Sequence, residues 1–127
     1  MGGSVMNKGW AAAAILVAVQ GCATGLYPDT DLVEPKDFDL KVATGIQKSG
    51  GLLQAGNLEY AGTGDLVAEY RAYVADMRIH GWTGAADDIQ GQKAVGTLRK
   101  DNRTCSLEFT SAGGQIRITI KVTQTKN

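Results

Sequence analysis

Three predicted strands joined by two-residue turns dominate the C-terminal third of the chain and constrain its fold most strongly. The strands span 93–100, 103–111 and 115–123, and Asp101-Asn102 and Gly113-Gly114 supply residues that tolerate the positive φ of tight hairpins. Each turn fixes a register. The predicted pairs are Leu98 with Cys105, Gly96 with Leu107, Ala94 with Phe109, Phe109 with Ile118, Leu107 with Ile120, and Cys105 with Val122. Because every pair places apolar or small residues on the same face, the two turns together predict one continuous meander with an apolar side.

The opposite face of this meander is polar and is expected to be exposed. It carries Thr97, Arg99, Thr104, Ser106, Glu108, Thr110, Arg117, Thr119 and Lys121. Arg117 and Lys121 lie on the same strand and are candidates for a surface that contacts a partner.

One amphipathic helix is predicted over residues 65–80. Asp65 suits the N-cap or the first turn, and Gly81 suits the position that ends a helix. Trp82 follows directly and is expected to fold back on the last turn. The apolar stripe at helical spacing consists of Leu66, Tyr70, Tyr73 and Met77, flanked by Val67 and Val74.

The first half of the chain predicts two further strands. Residues 37–43 alternate, which places Phe38, Leu40 and Val42 on an inward face. Residues 44–56 are glycine-rich and predict a long turn or loose hairpin, and residues 57–61 form a short strand. The expected fold class is therefore α+β, an antiparallel sheet of four to five strands that ends in the three-stranded meander and packs on one helix.

The N-terminal residues have the layout of a secretory signal, with Lys8 followed by an apolar run from Trp10 to Val19. The sequence Val19-Gln20-Gly21-Cys22 then resembles the lipobox of bacterial lipoproteins. The resemblance implies cleavage after residue 21 and lipidation of Cys22. The alternatives are a soluble secreted protein and, for the start of translation, Met6 rather than Met1.

This resemblance implies a division of the chain and a location. Residues 1–21 are the signal peptide, residues 22–36 the lipidated cysteine and a flexible tether, and residues 37–127 a single α+β domain. An extended tether of 14 residues reaches about 45 Å. Ala23 is not the aspartate that resembles an inner-membrane retention signal, which favours the outer membrane, facing the periplasm. The run from Tyr70 to Trp82, followed by the meander, resembles a pattern of small bacterial lipoproteins, and its architecture is similar to the helix-on-sheet domains of outer-membrane-assembly lipoproteins.

Few side chains in the sequence suggest catalysis or metal binding. His80 is the single histidine and lies at the predicted end of the helix, where it is expected to be a surface or capping residue. No cluster of His, Cys or carboxylate residues accompanies it, as a metal or catalytic site would require. Asp87-Asp88 lacks the spacing of a cation loop. Cys105 is expected to be a buried free thiol. No cofactor, metal or catalytic residue is predicted.

The chain has a formal net charge of zero at pH 7, which disfavours nucleic-acid binding. The expected function is that of a non-enzymatic interaction or accessory module, anchored to the membrane and contacting an envelope protein. The alternative is a binder of a small molecule or lipid, with a pocket between helix and sheet beside Ala94 and Gly96.

Overall fold

The computed structural model describes residues 25–84 and 87–125. These residues form one helix and seven strands. The elements are β1 (Asp39–Ser49), β2 (Leu52–Thr63), α1 (Leu66–Ile79), β3 (Thr83–Gly84), β4 (Asp88–Gln90), β5 (Lys93–Lys100), β6 (Arg103–Ala112) and β7 (Gln115–Gln124). The predicted signal peptide (residues 1–21) and Cys22 lie outside the described residues.

The strands of the described residues form one antiparallel sheet in the order β1-β2-β7-β6-β5-β3, and β4 also pairs with β5. The α+β class is confirmed, but four to five strands was too low a number. The two additional strands, β3 and β4, have two and three residues, which is too short for a two-residue alternation to be recognised in the sequence.

The register of the meander is confirmed at all six predicted pairs, from Leu98 opposite Cys105 to Cys105 opposite Val122. Its inward side chains are buried. Leu107 is 2% exposed, and Phe109, Ile118 and Ile120 are fully buried. Sheet and helix share this apolar face as a single core.

Helix α1 also follows its prediction. The Asp65 carboxylate caps it by accepting a hydrogen bond from the Ala68 backbone N–H at 2.9 Å. Gly81 has a φ of +94° directly after the helix, which lets the Trp82 N–H reach back to the Met77 carbonyl at 3.1 Å. Trp82 is fully buried as a result.

The first hairpin is longer than predicted. Residues 44–56, expected as a turn or loose hairpin, form most of β1 and the beginning of β2, and the tight turn lies at Gly50-Gly51. Gly45 has a φ of +63° beside a shift of register between Thr44 and Gln47. The glycines therefore mark a bulge within a continuous strand pair and not a break in it.

The inward face predicted for the first strand is wrong for two of its three residues. Leu40 and Val42 are 40% and 39% exposed, whereas Phe38 packs partly against the core. Among the described residues β1 has a neighbour on one side, and its pairing shifts between Leu40 and Val42. Every residue of β1 except Ile46 is exposed, so both faces of this edge strand meet solvent and alternation in the sequence does not report burial here.

Residues 25–38 form what we call the N-terminal segment, and it is packed against the core. Leu32 and Val33 are fully buried, and an isolated bridge pairs Leu26 with Val33. The expectation of a flexible tether is therefore wrong for residues 25–36. The absence of periodicity and the two prolines indicated irregular structure, but irregular structure can still be packed.

Candidate functional site

The predicted site residue, Cys22, lies outside the described residues. The described residues contain no group of three or more His, Cys, Asp or Glu side chains able to hold a metal ion. No helix in residues 25–84 or 87–125 has the length and apolarity needed to span a membrane.

The other residues singled out from the sequence lie apart from one another. His80 is the C-cap of α1, as predicted, and its Nδ1 lies 3.0 Å from the Asp76 carbonyl oxygen. Cys105 is a buried free cysteine, and burial raises the pKa of its thiol to about 12. Asp87 accepts a hydrogen bond from the Tyr70 hydroxyl at 2.6 Å, while Asp88 accepts one from Gln90 at 3.1 Å.

The most closely connected group of polar side chains was not predicted. We call it the Asp31 cluster: Asp31, Lys100, Arg103 and Trp82. Arg103 is 1% exposed and donates two hydrogen bonds to the Asp31 carboxylate, at 2.9 and 2.8 Å. Its guanidinium carbon also lies 4.9 Å from the centroid of the Trp82 ring. The arrangement combines bidentate pairing with cation–π stacking, both of which arginine geometry favours.

Lys100 adds a second cation at the Asp31 carboxylate, and the exposed Asp101, 3.5 Å from Arg103 Nη2, adds a second anion. The Lys100 Nζ lies 3.0 Å from Asp31 Oδ2 and donates to the His80 carbonyl at 2.7 Å. Arg103 also donates to the Leu53 carbonyl at 3.0 Å. The cluster thus connects the N-terminal segment, the end of α1, the beginning of β2 and the turn between β5 and β6.

The electrostatics of the cluster favour the charged forms of both partners. Burial alone raises the pKa of Asp31, but hydrogen bonds from Arg103, Lys100 and the Leu53 backbone outweigh it and hold the pKa well below its usual range. The hydrogen bond to Asp31 raises the pKa of Arg103. Since both Asp31 oxygens are engaged by cations, the cluster serves to hold segments together.

A signal for Arg103 was present in the sequence. Position 103 is in phase with Cys105, Leu107 and Phe109, so the alternation itself places Arg103 on the apolar face. A buried guanidinium requires a nearby anion. Asp31 lies 72 positions away in the sequence, so nothing in the local pattern identifies it as that anion.

Three buried tyrosines attach peripheral segments to the core. The Tyr73 hydroxyl donates to the Val33 carbonyl and the Tyr60 hydroxyl to Glu34, both at 2.7 Å. The Tyr70 hydroxyl donates to Asp87. Burial raises the pKa of all three phenols, and their acidic neighbours add to the increase. The apolar stripe of α1 is therefore part of the core. The hydroxyl groups of its two tyrosines bind the N-terminal segment and the loop before β4.

The polar face of the sheet is open to solvent, and we call it the open face. It contains a shallow depression of about 350 Å³ lined by residues that include Thr97, Ser106, Glu108, Thr119 and Lys121. Arg117, which lies on β7 as Lys121 does, borders a second shallow depression of about 340 Å³. Hydroxyl, ammonium and guanidinium groups there are available for polar contacts with a partner.

A groove of about 270 Å³ lies between α1, the N-terminal segment and the sheet. Its apolar floor includes Phe38, Tyr73, Phe109 and Ile118, and Lys36, Glu69 and Asp76 are among the polar residues that line it. No room remains where Ala94 and Gly96 were expected to provide a pocket, because Ala94 is fully buried and a Cβ on Gly96 would collide with the Tyr70 hydroxyl. The small residue at position 96 lets the helix approach the sheet.

Comparisons of the chain with known protein families, with curated proteins and with solved structures found no match.

Proposed function

We propose that this protein is an envelope lipoprotein, anchored through lipid on Cys22, that acts as a non-enzymatic interaction or accessory module for another envelope protein. The observation that carries the interaction role is the open face, where two shallow depressions border Arg117 and Lys121. The lipobox-like Val19-Gln20-Gly21-Cys22 supports the anchor. Location at the outer membrane, facing the periplasm, is part of the same proposal.

The anchor is tested by metabolic labelling with a palmitate analogue. The wild-type protein is expected to be labelled and to partition into the detergent phase, because more than one acyl chain gives stable attachment. Cys22→Ser is the matched variant and is expected to lose both properties. Equal labelling of the two proteins contradicts lipidation, and an unlabelled wild type in the aqueous phase favours the soluble secreted alternative.

The interaction role is tested by charge reversal on the open face. Arg117→Glu combined with Lys121→Glu is expected to abolish complementation of a deletion strain at normal protein levels, because both exposed cations lie on β7. The control is Arg71→Glu, which reverses an exposed charge on the helix side, away from the open face and from the groove. Full complementation by the open-face variant overturns the interaction surface.

The alternative function, a binder of a small molecule or lipid, is supported by the groove beside α1. Its apolar floor with a polar rim is typical of ligand sites, although its volume of about 270 Å³ is slightly below their usual range of about 300–1,000 Å³. Ala72 lines the groove and is exposed, so Ala72→Trp is expected to displace a bound fluorescent fatty acid. Absence of any saturable binding by the wild-type protein contradicts this alternative.

A further inference from the structure

The fold begins almost immediately after the predicted lipidation site. The Gly25 carbonyl accepts a hydrogen bond from the Glu34 N–H at 2.9 Å, and the Tyr27 N–H donates to the Leu32 carbonyl at 2.8 Å. The bridge between Leu26 and Val33 lies between these two bonds. The backbone is therefore fixed to the domain from residue 25 onward.

Two residues, Ala23 and Thr24, separate Cys22 from this fixed point. Three Cα–Cα steps span at most about 11 Å. The headgroup layer of one leaflet is roughly 5–8 Å thick. A lipid on Cys22 therefore holds the surface around Gly25 within a few ångströms of the headgroups, in contrast to the reach expected of a 14-residue tether.

The N-terminal segment and the β1 edge of the sheet carry most of the exposed large apolar side chains. Of four such residues in the described part of the chain, Leu26, Leu40 and Val42 lie on the N-terminal segment or on β1, whereas Ile79 lies at the end of α1. The Lys48 ammonium lies 5.1 Å from the centroid of the Tyr27 ring, which joins the segment to β1. Tyrosine and lysine beside aliphatic side chains are typical of proteins at a membrane surface.

We propose that Leu26, Tyr27, Leu40, Val42 and Lys48, which we call the anchor flank, rest on the headgroups of the bilayer that holds the Cys22 lipid. This inference depends on the proposed lipid anchor and adds an orientation to it. The β1 edge of the sheet faces the membrane, and β3 and β4, at the opposite side of the sheet, face away from it.

The headgroup region suits an edge strand. In the described structure β1 pairs on one side, so its other row of backbone N–H and C=O groups needs water or another partner. Hydrocarbon cannot satisfy those groups, whereas the hydrated headgroup layer can. The flank also carries Lys48, whose ammonium group is attracted to anionic lipid. A second copy of the chain pairing along β1 is the competing occupant.

The test uses the full lipidated chain, purified from the membranes of a host that attaches the lipid and reconstituted into phosphatidylcholine vesicles. Val42→Cys and Gln90→Cys each place one environment-sensitive fluorophore, on β1 and on β4. The buried Cys105 thiol is protected from labelling. The quencher is a phosphatidylcholine with a nitroxide on its headgroup. The fluorophore at position 42 is expected to be quenched and that at position 90 to keep its fluorescence.

Each outcome bears on the proposal differently. Quenching at position 42 alone supports it. Equal quenching at both positions, or none at either while the protein floats with the vesicles, overturns the orientation and leaves the anchor intact. Iodide, a quencher dissolved in the water phase, tests the competing occupant. If the protein is a dimer and the fluorophore at position 42 is shielded from iodide but not quenched by the headgroup nitroxide, the flank contacts a second copy of the chain and the proposal is overturned. Protein that neither floats nor takes up the palmitate analogue overturns the anchor and the orientation together.

Discussion

At the scale of single residues, the Asp31–Arg103 pair determines where the N-terminal segment docks on the sheet. An arginine that is 1% exposed is held by two hydrogen bonds to one carboxylate. Removing one member of such a pair leaves a buried charge without compensation, which costs more than the pair contributes relative to an apolar core. The cluster therefore determines how residues 25–38 dock more than it adds to stability.

Asp31→Asn is expected to lower the free energy of unfolding by about 3 kcal/mol at pH 7, because the buried Arg103 is then left with only the exposed Asp101, at 3.5 Å, as its anion. The pKa of Asp31 is depressed in the folded state, so its contribution is present above the unfolded value of about 4 and is lost as pH falls below it. Denaturant titrations from pH 7 to pH 2 should show the wild-type and variant curves converging. Asp39→Asn, at an exposed position, is the control, and parallel curves for Asp31→Asn contradict the prediction.

Gly96 provides a second prediction at this scale. Gly96→Ala places a methyl group against the Tyr70 hydroxyl, so it is expected to cost about 1–3 kcal/mol through overpacking. Tyr70→Phe removes that oxygen and also the hydrogen bond to Asp87. In a double-mutant cycle measured by thermal melting, the Gly96→Ala cost should shrink in the Tyr70→Phe background. Additive effects would mean that the helix does not approach the sheet at this point.

At the scale of elements, the sequence predicts structure well where a short turn sets the register. Asp101-Asn102 and Gly113-Gly114 leave each hairpin one compatible pairing, so all six predicted cross-strand pairs are present. Strand β1 could not be predicted in this way, because its pairing is interrupted by bulges and, at the edge of the sheet, it leaves all of its residues except Ile46 exposed. The N-terminal segment has no period at all, and its burial depends on partners such as Tyr73 and Arg103, which are distant in the sequence.

Leu107 tests the two faces of the meander. It is 2% exposed on β6 between Gly96 and Ile120, so Leu107→Ala is expected to cost about 2–5 kcal/mol. Ser106 is adjacent and lies on the open face, where Ser106→Ala should change stability by less than about 0.5 kcal/mol. Similar melting temperatures for the two variants would reverse the assignment of the faces.

At the scale of the whole molecule, the N-terminal segment turns a sheet with one helix into a closed core. It supplies Leu32 and Val33 to the face shared with α1, and it supplies the anion for Arg103. If Cys22 carries the lipid, the same segment connects the anchor to the domain with only two residues, Ala23 and Thr24, between them. Anchor, orientation and stability then depend on the same stretch of chain.

Shortening the chain from its N-terminus distinguishes a packed N-terminal segment from a flexible tether. A chain beginning at Gly25 is expected to unfold at the same denaturant concentration as one beginning at Ala23. A chain beginning at Asp37 should lose about 1.5–3 kcal/mol for each of the buried Leu32 and Val33, and up to about 3–5 kcal/mol more because Arg103 keeps only the exposed Asp101 as a partner. Because small domains have only about 5–15 kcal/mol of stability, this variant is expected to be largely unfolded by circular dichroism. Adding Arg103→Met to it should recover part of the loss, because the buried charge is then absent. Equal stability of the chains beginning at residues 25 and 37 would restore the tether and remove the basis for a fixed orientation at the membrane.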